Sequence, residues 1–352
     1  MLGIVIFVIV LFVVIVVHEF GHFIAAKSAG IKVEEFSVGF PPRITSVKKG
    51  ETLYSLGMIP IGGFVKLFGD GDENTDKPRS FRKASNFSQA ATLCAGVAFN
   101  FVLGLILFTI VYMVGNYVPY DERQHSSSDI SVMIVGILEN SPASSFFQAG
   151  DIIKKIDVNN NVVEPKNREE VSEALKTDEE VNITYVRDNK EYNSSLSAEE
   201  LEVGGVVVNA IGIQTRDVIY ERYGFFSAVR ESFNLVVFIV RETLIALFNL
   251  VRTFDTSQLA GPVGIAQITS QTAAFGFIPL VFFTGLLSVS IGVLNLLPIP
   301  ALDGGRLLLL GVGVVMGRPV SIKTERALNG VGFLLLIALL VVVTFVDINR
   351  LF

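Results

Sequence analysis

A single cysteine in 352 residues, Cys94, excludes an internal disulfide framework, and its place in an apolar run leaves the redox compartment unread. Charge is scarce as well: Asp, Glu, Lys and Arg make up 18% of the chain, and the net charge is −6. No dense basic cluster occurs, which removes nucleic acid as a partner, because phosphate binding requires a basic face. Histidine is scarcer still, with three residues. What the chain has in quantity is apolar. Hydrophobic residues reach 51% and the mean hydropathy is +0.56, well above the apolar share of ordinary soluble domains. That is the composition of a membrane protein.

Four segments are long and apolar enough to be spans, about 2–26, 90–115, 277–297 and 327–346, since a bilayer core takes about 20 helical residues. The first lacks the basic start of a signal peptide and its apolar run exceeds a usual signal core, so it is read as a retained span. Lys and Arg set the orientation. Lys27 to Lys83 supply the positive charge between spans one and two, and Arg306, Arg318, Lys323 and Arg326 supply it between spans three and four. Both loops are therefore expected on the cytoplasmic side, with the segment from about 116 to 276 and both termini outside.

Within the outer segment the pattern changes to short alternating strands and polar turns. "ISVMIVGIL" reads as a strand, "SPASSFFQAGDII" as a turn and short helix, and "KKIDVNNNVV" as a hairpin. "NREEVSEALK" reads as a helix and "VNITYVRDNKEYNSSLS" as a second hairpin. The run "SPA...AGDIIKKIDVNN" resembles the middle of a bacterial PDZ domain, a fold that captures extended peptides by strand addition. A spacer without a ligand is the plainer reading of the same residues. Further on, residues 224–252 form a helical pattern with Arg230, Arg241 and Arg252 nearly on one line and Glu231, Asn234, Glu242 and Asn249 beside them. A narrow polar stripe on a greasy helix suits the membrane interface, since Arg241 and Glu242 are expensive at mid-bilayer.

Against this background "VVHEFGH" at 16–22 is out of place. His18 and His22 are four residues apart and project from one helix face, close enough to hold one ion, while Glu19 lies about 100° away, where it can act as a base on water. This is the HExxH arrangement of zinc hydrolases. Polar side chains at a hydrated helix end are the plainer alternative, but three in five residues beside sixteen apolar ones are costly unless they bind or pair.

A catalytic zinc site takes three protein ligands and leaves one position open. The remaining histidine, His125, falls in the polar outer loop "DERQHSSSD", on the opposite side of the membrane. A carboxylate near the cytoplasmic end of a span is therefore required, and Asp303 in "NLLPIPALDGG" meets the requirement. Pro298 and Pro300 end the preceding helix, and Gly304 and Gly305 permit close backbone approach. A cap for the following "LLLLGVGVV" helix is the plainer role for this residue.

Taken together these residues resemble the intramembrane site-2 protease family, peptidase M50, and most closely its bacterial RseP-type members with a single PDZ-like domain. The likeness rests on HEFGH, "FSVGF" at 36–40, "IPIGGFVKLFGD" at 59–70, "AG...NF" at 95–101, "GPVGIAQ" at 261–267 and "LNLLPIPALDGG" at 294–305. It implies His18, His22 and Asp303 as ligands of Zn2+ and Glu19 as general base. It also implies that Asn295 contacts the substrate or the metal surroundings, that Asn100 belongs to the substrate-binding set, and that Gly62, Gly63 and Phe64 lie in a membrane-dipping hairpin that pairs with an unwound substrate. Two places depart from the family pattern. Val97 stands where proline is usual, and Pro41 and Pro42 stand where glycine is common.

The expected fold is a polytopic α-helical membrane protein with four transmembrane helices, a membrane-associated β-hairpin region, one extracytoplasmic α+β PDZ-like domain and an interfacial amphipathic helix. The expected division is 1–115 for the N-terminal membrane core, 116–215 for the PDZ-like domain, 216–276 for the interfacial helix and connector, and 277–352 for the C-terminal core, with an Asp-bearing loop at 298–326. The resemblance implies cleavage of single-span membrane proteins, such as anti-sigma factors or remnant signal peptides, in the bacterial cytoplasmic membrane. Its implied partners are those substrates, a peptide or substrate tail at the PDZ-like domain, and lipid. A non-catalytic PDZ scaffold with a structural or vacant metal site is the competing reading. Glu19 argues against it, because a structural site needs a fourth ligand and no adjacent base.

Overall fold

The computed structural model describes residues 2–70, 77–120, 130–138, 140–177, 179–187, 190–203, 206–253 and 260–349. His125 lies outside these residues. The apolar run that opens the sequence forms helix α1, Leu2–Ser28, about 40 Å long at 1.5 Å per residue. Two long strands follow, β1 at Val33–Lys49 and β2 at Thr52–Leu67. Both are bent, so that Ser37 of β1 has Phe64 and Ser55 as partners in the two halves of β2. Glu35 is buried in this hairpin, where Arg43 donates to it in a two-pronged pair at 2.9 and 2.5 Å and the Ser55 hydroxyl donates at 2.6 Å. Among the described residues Phe64–Leu67 pairs with no strand other than β1.

Helix α2 spans Asn86–Val114 and passes through Val97 without a break. The chain divides into two compact units. The first joins α1, the hairpin and most of α2 to the C-terminal helices. The second, Val111–Ala228 with Thr272–Leu280, takes in only part of the 116–276 segment, whose residues 229–271 belong to the first unit.

The second unit is built on a sheet of β3 (Asn116–Pro119), β4 (Ile130–Ile137), β5 (Ile152–Val158) and β6 (Asn161–Val163), with helix α3 (Arg168–Ala174). It continues through β7 (Val181–Arg187) and β8 (Lys190–Leu196), then a separate hairpin of β9 (Glu199–Val203) and β10 (Val206–Ala210), and ends with β11 (Ile213–Glu221). The spatial order is β3-β11-β4-β5-β7-β8, with β6 paired to β5. Inward residues Val132, Ile134, Ile153, Ile156 and Ile183 form its core with Phe147. The strands and α3 fall where the alternation placed them. The sheet, however, does not end at 215. Strand β11 runs on to Glu221 because it pairs with β3 at one end and β4 along its length, so the 216–276 segment begins inside the sheet.

Helix α4 takes up Phe225–Thr253, and α5 takes up Pro262–Ala274. Then come α6 at Phe277–Leu296, α7 at Asp303–Val315 and α8 at Ile322–Asn349. The expected loop at 298–326 therefore contains a helix of its own. Among the described residues five helices are long and apolar enough to cross a membrane, α1, α2, α4, α6 and α8, of which α4 is the least apolar. In the first unit Ile239 of α4 packs with Phe108 of α2 and Val289 of α6, and the Thr109 hydroxyl donates to Ser232 at 3.2 Å. Arg230 and Arg241 stay exposed on the far side of α4. At the end of α8 buried Asp347 accepts from the Gly264 backbone amide at 2.8 Å, capping the first turn of α5 from another helix.

Candidate metal centre

The i, i+4 spacing on α1 brings His18 and His22 to one face, with their Nε2 atoms 3.1 Å apart. Asp303 Oδ2 lies 3.1 Å from His18 Nε2 and 3.2 Å from His22 Nε2. Bonds of about 2.0–2.2 Å at tetrahedral angles separate neighbouring zinc ligands by about 3.3 Å, so this triangle fits a zinc ion. Among the described residues these three form the one group of His, Cys, Asp and Glu ligand atoms close enough together to hold a metal.

The outer nitrogens of the imidazoles are committed elsewhere, which fixes what the inner ones can do. His22 Nδ1 donates to the Thr92 carbonyl at 2.8 Å, leaving Nε2 with a free lone pair for a metal. The side-chain amide of Asn100 stands 3.3 Å from His18 Nδ1. Its Oδ1 is buried and has no other hydrogen-bond partner among the described residues. Amide oxygen and nitrogen exchange places on a flip. With the oxygen toward His18, Nδ1–H donates to it and His18 presents the same metal-binding tautomer as His22. An orphaned buried acceptor is thereby satisfied.

Asp303 is the first residue of α7, after Leu302 at the cap position. Its carboxyl is not used as the cap but turned toward the histidines, with the positive end of the helix dipole behind it. Burial pushes this carboxyl up, but the two imidazoles opposite outweigh it and hold it well below the usual carboxylate range. The turn before it is tight. A Cβ on Gly304 would meet the Leu296 carbonyl oxygen at 2.1 Å, and one on Gly305 would meet that of Ile299 at 2.1 Å. Ala301 adopts a left-handed φ of 78°, and its amide donates to Asn329 of α8 at 3.1 Å.

A cavity of about 300 Å³ opens on the three side chains, and Glu19, Phe64, Val65, Asn295 and Arg306 also line it. The Val65 backbone hydrogen-bonds the Glu19 carboxylate, so this stretch of β2 lies beside both base and metal triangle. Among the residues expected at the substrate, Phe64 and Asn295 are on the cavity wall. Gly63 is packed down, since a Cβ there would stand 2.9 Å from the Ser37 carbonyl and 3.3 Å from Glu19 Cγ, and Gly62 lies under the Phe40 ring. Asn100 is fully buried behind His18, where it touches the imidazole rather than the cavity.

Three contributors escaped the sequence reading. Thr92 acts through its carbonyl, which leaves no trace in residue type. Gly96 brings the α2 backbone against the imidazoles: a Cβ there would stand 2.4 Å from His22 Nε2 and 2.8 Å from His18 Cε1. Arg306, one turn beyond Asp303, lines the cavity and donates to Asp70 at 2.5 Å.

Comparison with known proteins agrees with this geometry. The model of peptidase family M50 matches residues 6–339. The chain belongs to peptidase family M50. It is 33% identical over 340 residues to a Clostridium perfringens protein carrying a provisional zinc metalloprotease name, covering 95% of each chain. It is 28% identical over 444 residues to zinc metalloprotease RasP of Oceanobacillus iheyensis, covering 100% of both chains, and 29% identical over 419 residues to that of Shouchella clausii, covering 98% of both. As an M50 peptidase with several long apolar helices the chain is a multi-pass membrane zinc metalloprotease, and Zn2+ is its metal.

Proposed function

We propose that this M50 chain hydrolyses peptide bonds within the transmembrane segments of single-span membrane proteins, with His18, His22 and Asp303 holding the zinc ion and Glu19 as general base. The observation that carries this reading is the triangle of three inward-facing ligand atoms with Glu19 on the same cavity. Zinc bound there supplies Lewis-acid activation of a water molecule and of the scissile carbonyl. The chain's own groups do the rest. Asp303 contributes negative charge, Thr92 and Asn100 orient both imidazoles with Nε2 toward the metal, and Glu19 takes the proton of the attacking water and returns it to the leaving amine.

A helical substrate hides its carbonyls in internal hydrogen bonds and must unwind before any base can reach them. The stretch Phe64–Leu67 of β2, which among the described strands pairs with β1 alone, offers it replacement partners by strand addition, with Asn295 across the cavity to hold its backbone. The arrangement in the bilayer that suits these parts has α1, α2, α6 and α8 as spans and α4 in the interface, with its exposed Arg230 and Arg241 toward water. The catalytic end then faces the cytoplasm, and the PDZ-like sheet, extending to Glu221, stands outside, where it meets a peptide or substrate tail. Anti-sigma factors and remnant signal peptides in a bacterial inner membrane are the substrate class this layout fits.

The test is purification of wild type, Glu19→Gln and Asp303→Ala, followed by zinc analysis and cleavage of a model single-span substrate. Glu19→Gln is expected to keep its zinc and lose cleavage by about 10²-fold or more, and Asp303→Ala to lose both. Full activity in Glu19→Gln would sink the assignment.

A further inference from the structure

Arg306 belongs to three cavities at once. It lines the metal cavity, a second of about 240 Å³ with Asp70, Glu325 and Asn329, and a third of about 510 Å³ with Arg82, Lys83 and Arg318. Its guanidinium donates to Asp70 at 2.5 Å and stands 4.0 Å from Glu325, while Glu325 is also paired with Arg82. The guanidinium carbon lies over the Phe81 ring, 5.4 Å from its centroid. Burial pushes the guanidinium pKa down, but the Asp70 and Glu325 carboxylates outweigh it and keep the group charged.

We propose that Arg306 is the partition between the metal cavity and the two polar cavities beyond it, held shut by its pairs with Asp70 and Glu325. The inference rests on the peptidase reading and deepens it. Each peptide bond cleaved consumes one water molecule, and a site walled by α1, β2 and α6 has to draw that water from a polar side. The two outer cavities are bounded by Arg82, Glu325 and Arg326, and they meet the metal cavity at this one side chain. Arg is suited to such a role, because a long apolar stem lets a charged head swing between partners without leaving a charge bare. Asp70 follows directly on the turn after β2, so the same pair ties the strand edge beside Glu19 to the helix that carries Asp303. Opening the partition and loosening that edge are then one motion.

The test uses the full chain in detergent with Cys94→Ala and Ile291→Cys, since Ile291 lines the metal cavity. The probe is the membrane-impermeant cation 2-(trimethylammonio)ethyl methanethiosulfonate. With Arg306 intact, modification of the new thiol is expected to be slow. Asp70→Asn and Arg306→Ala should each speed it roughly tenfold, the factor that corresponds to one charge-assisted hydrogen bond lost, and Asp70→Glu should restore the slow rate. Zinc uptake by metal-free protein should quicken in the same order. Asp70→Asn keeps the arginine and decides the matter if Arg306→Ala does not fold. Equal labelling rates in all variants, or fast labelling with Arg306 in place, overturns the proposal. Thiol labelling needs no metal, so a failure of the zinc assignment would show separately, as a wild-type chain that binds no zinc yet still labels slowly.

Discussion

Gly96 of α2 stands directly against His22 of α1: a methyl group on its Cα would lie 2.4 Å from Nε2, the atom that faces Asp303. The helix backbone itself is therefore one wall of the metal triangle, and the absence of a side chain is the condition for the imidazoles to meet. In an ordinary helix alanine is the better residue by about 1 kcal/mol.

Gly96→Ala is expected to reverse that ordinary preference. The methyl group displaces the imidazoles, and purified protein should carry well under one zinc per chain while its helix content by circular dichroism is unchanged. Retention of full zinc and full cleavage in this variant would refute the close contact.

Asn100 supports a second expectation. Removing its amide leaves His18 Nδ1 without a partner and free to rotate or change tautomer. Partners of this kind are worth about 10- to 100-fold in metal affinity, so Asn100→Ala should weaken zinc binding by that factor in a chelator competition. Substrate KM should change little, because the residue is buried behind the imidazole.

The parts of this site that were readable in the sequence are those whose geometry is local. HExxH places two imidazoles on one face by helix spacing alone, and the outer strands and α3 declare themselves by alternation and caps. Asp303 was reachable because a chain with three histidines and a zinc motif needs a carboxylate somewhere on the same side. The Thr92 carbonyl, by contrast, belongs to a backbone group that every residue possesses, and Gly96 looks like any glycine in an apolar helix. The pairing of Arg306 with Asp70 joins residues far apart in the chain and has no periodicity to reveal it. Strand β11 was missed for the same reason: its alternation is visible, but its partner β3 is four residues long and about a hundred residues away. Asn100 enters the substrate-binding set through the family resemblance of its "AG...NF" element, and a motif match does not tell which side of the imidazole a buried amide serves.

Acid should loosen the hairpin in a defined window. Hydrogen bonds from Arg79, at 2.6 and 2.8 Å, and from Lys27, at 2.6 Å, hold Glu51 at the β1–β2 turn down to about 2, against an ordinary value of 4.5. A depressed carboxyl stabilises the fold fully above the unfolded value and loses that contribution as pH falls through the folded one. The three side chains are partly exposed, so the effect is small. Pepsin, which works in acid, should cut wild type at this turn increasingly between about pH 4.5 and about pH 2. Glu51→Gln should be cut at a rate that is already high at the upper end and changes little with pH beyond the enzyme's own profile. Identical profiles for the two proteins would remove Glu51 as the anchor.

The sheet of the second unit provides a case in which stability and catalysis separate. Asp151 is fully buried and accepts from Arg187 Nε at 2.7 Å, from Arg187 Nη2 at 2.6 Å and from the Gln148 amide at 2.8 Å. Arg187 also donates to the Phe146 carbonyl at 2.9 Å, so one guanidinium closes the turn that precedes β5. Arg187→Met leaves the carboxylate buried with a single backbone donor, and breaking a buried pair in this way costs about 3–5 kcal/mol. For a sheet of this size that lowers Tm on the order of 10–20 °C, which a melt of the second unit followed by limited proteolysis should reveal. Adding Asp151→Asn to the same chain removes the stranded charge and should recover part of the loss. None of the residues of the metal triangle lies in this sheet, so zinc content should stay at the wild-type level in both variants. Loss of zinc in step with the melting of the sheet would mean that the second unit is required to hold the metal site together, and the two would have to be treated as one folding unit.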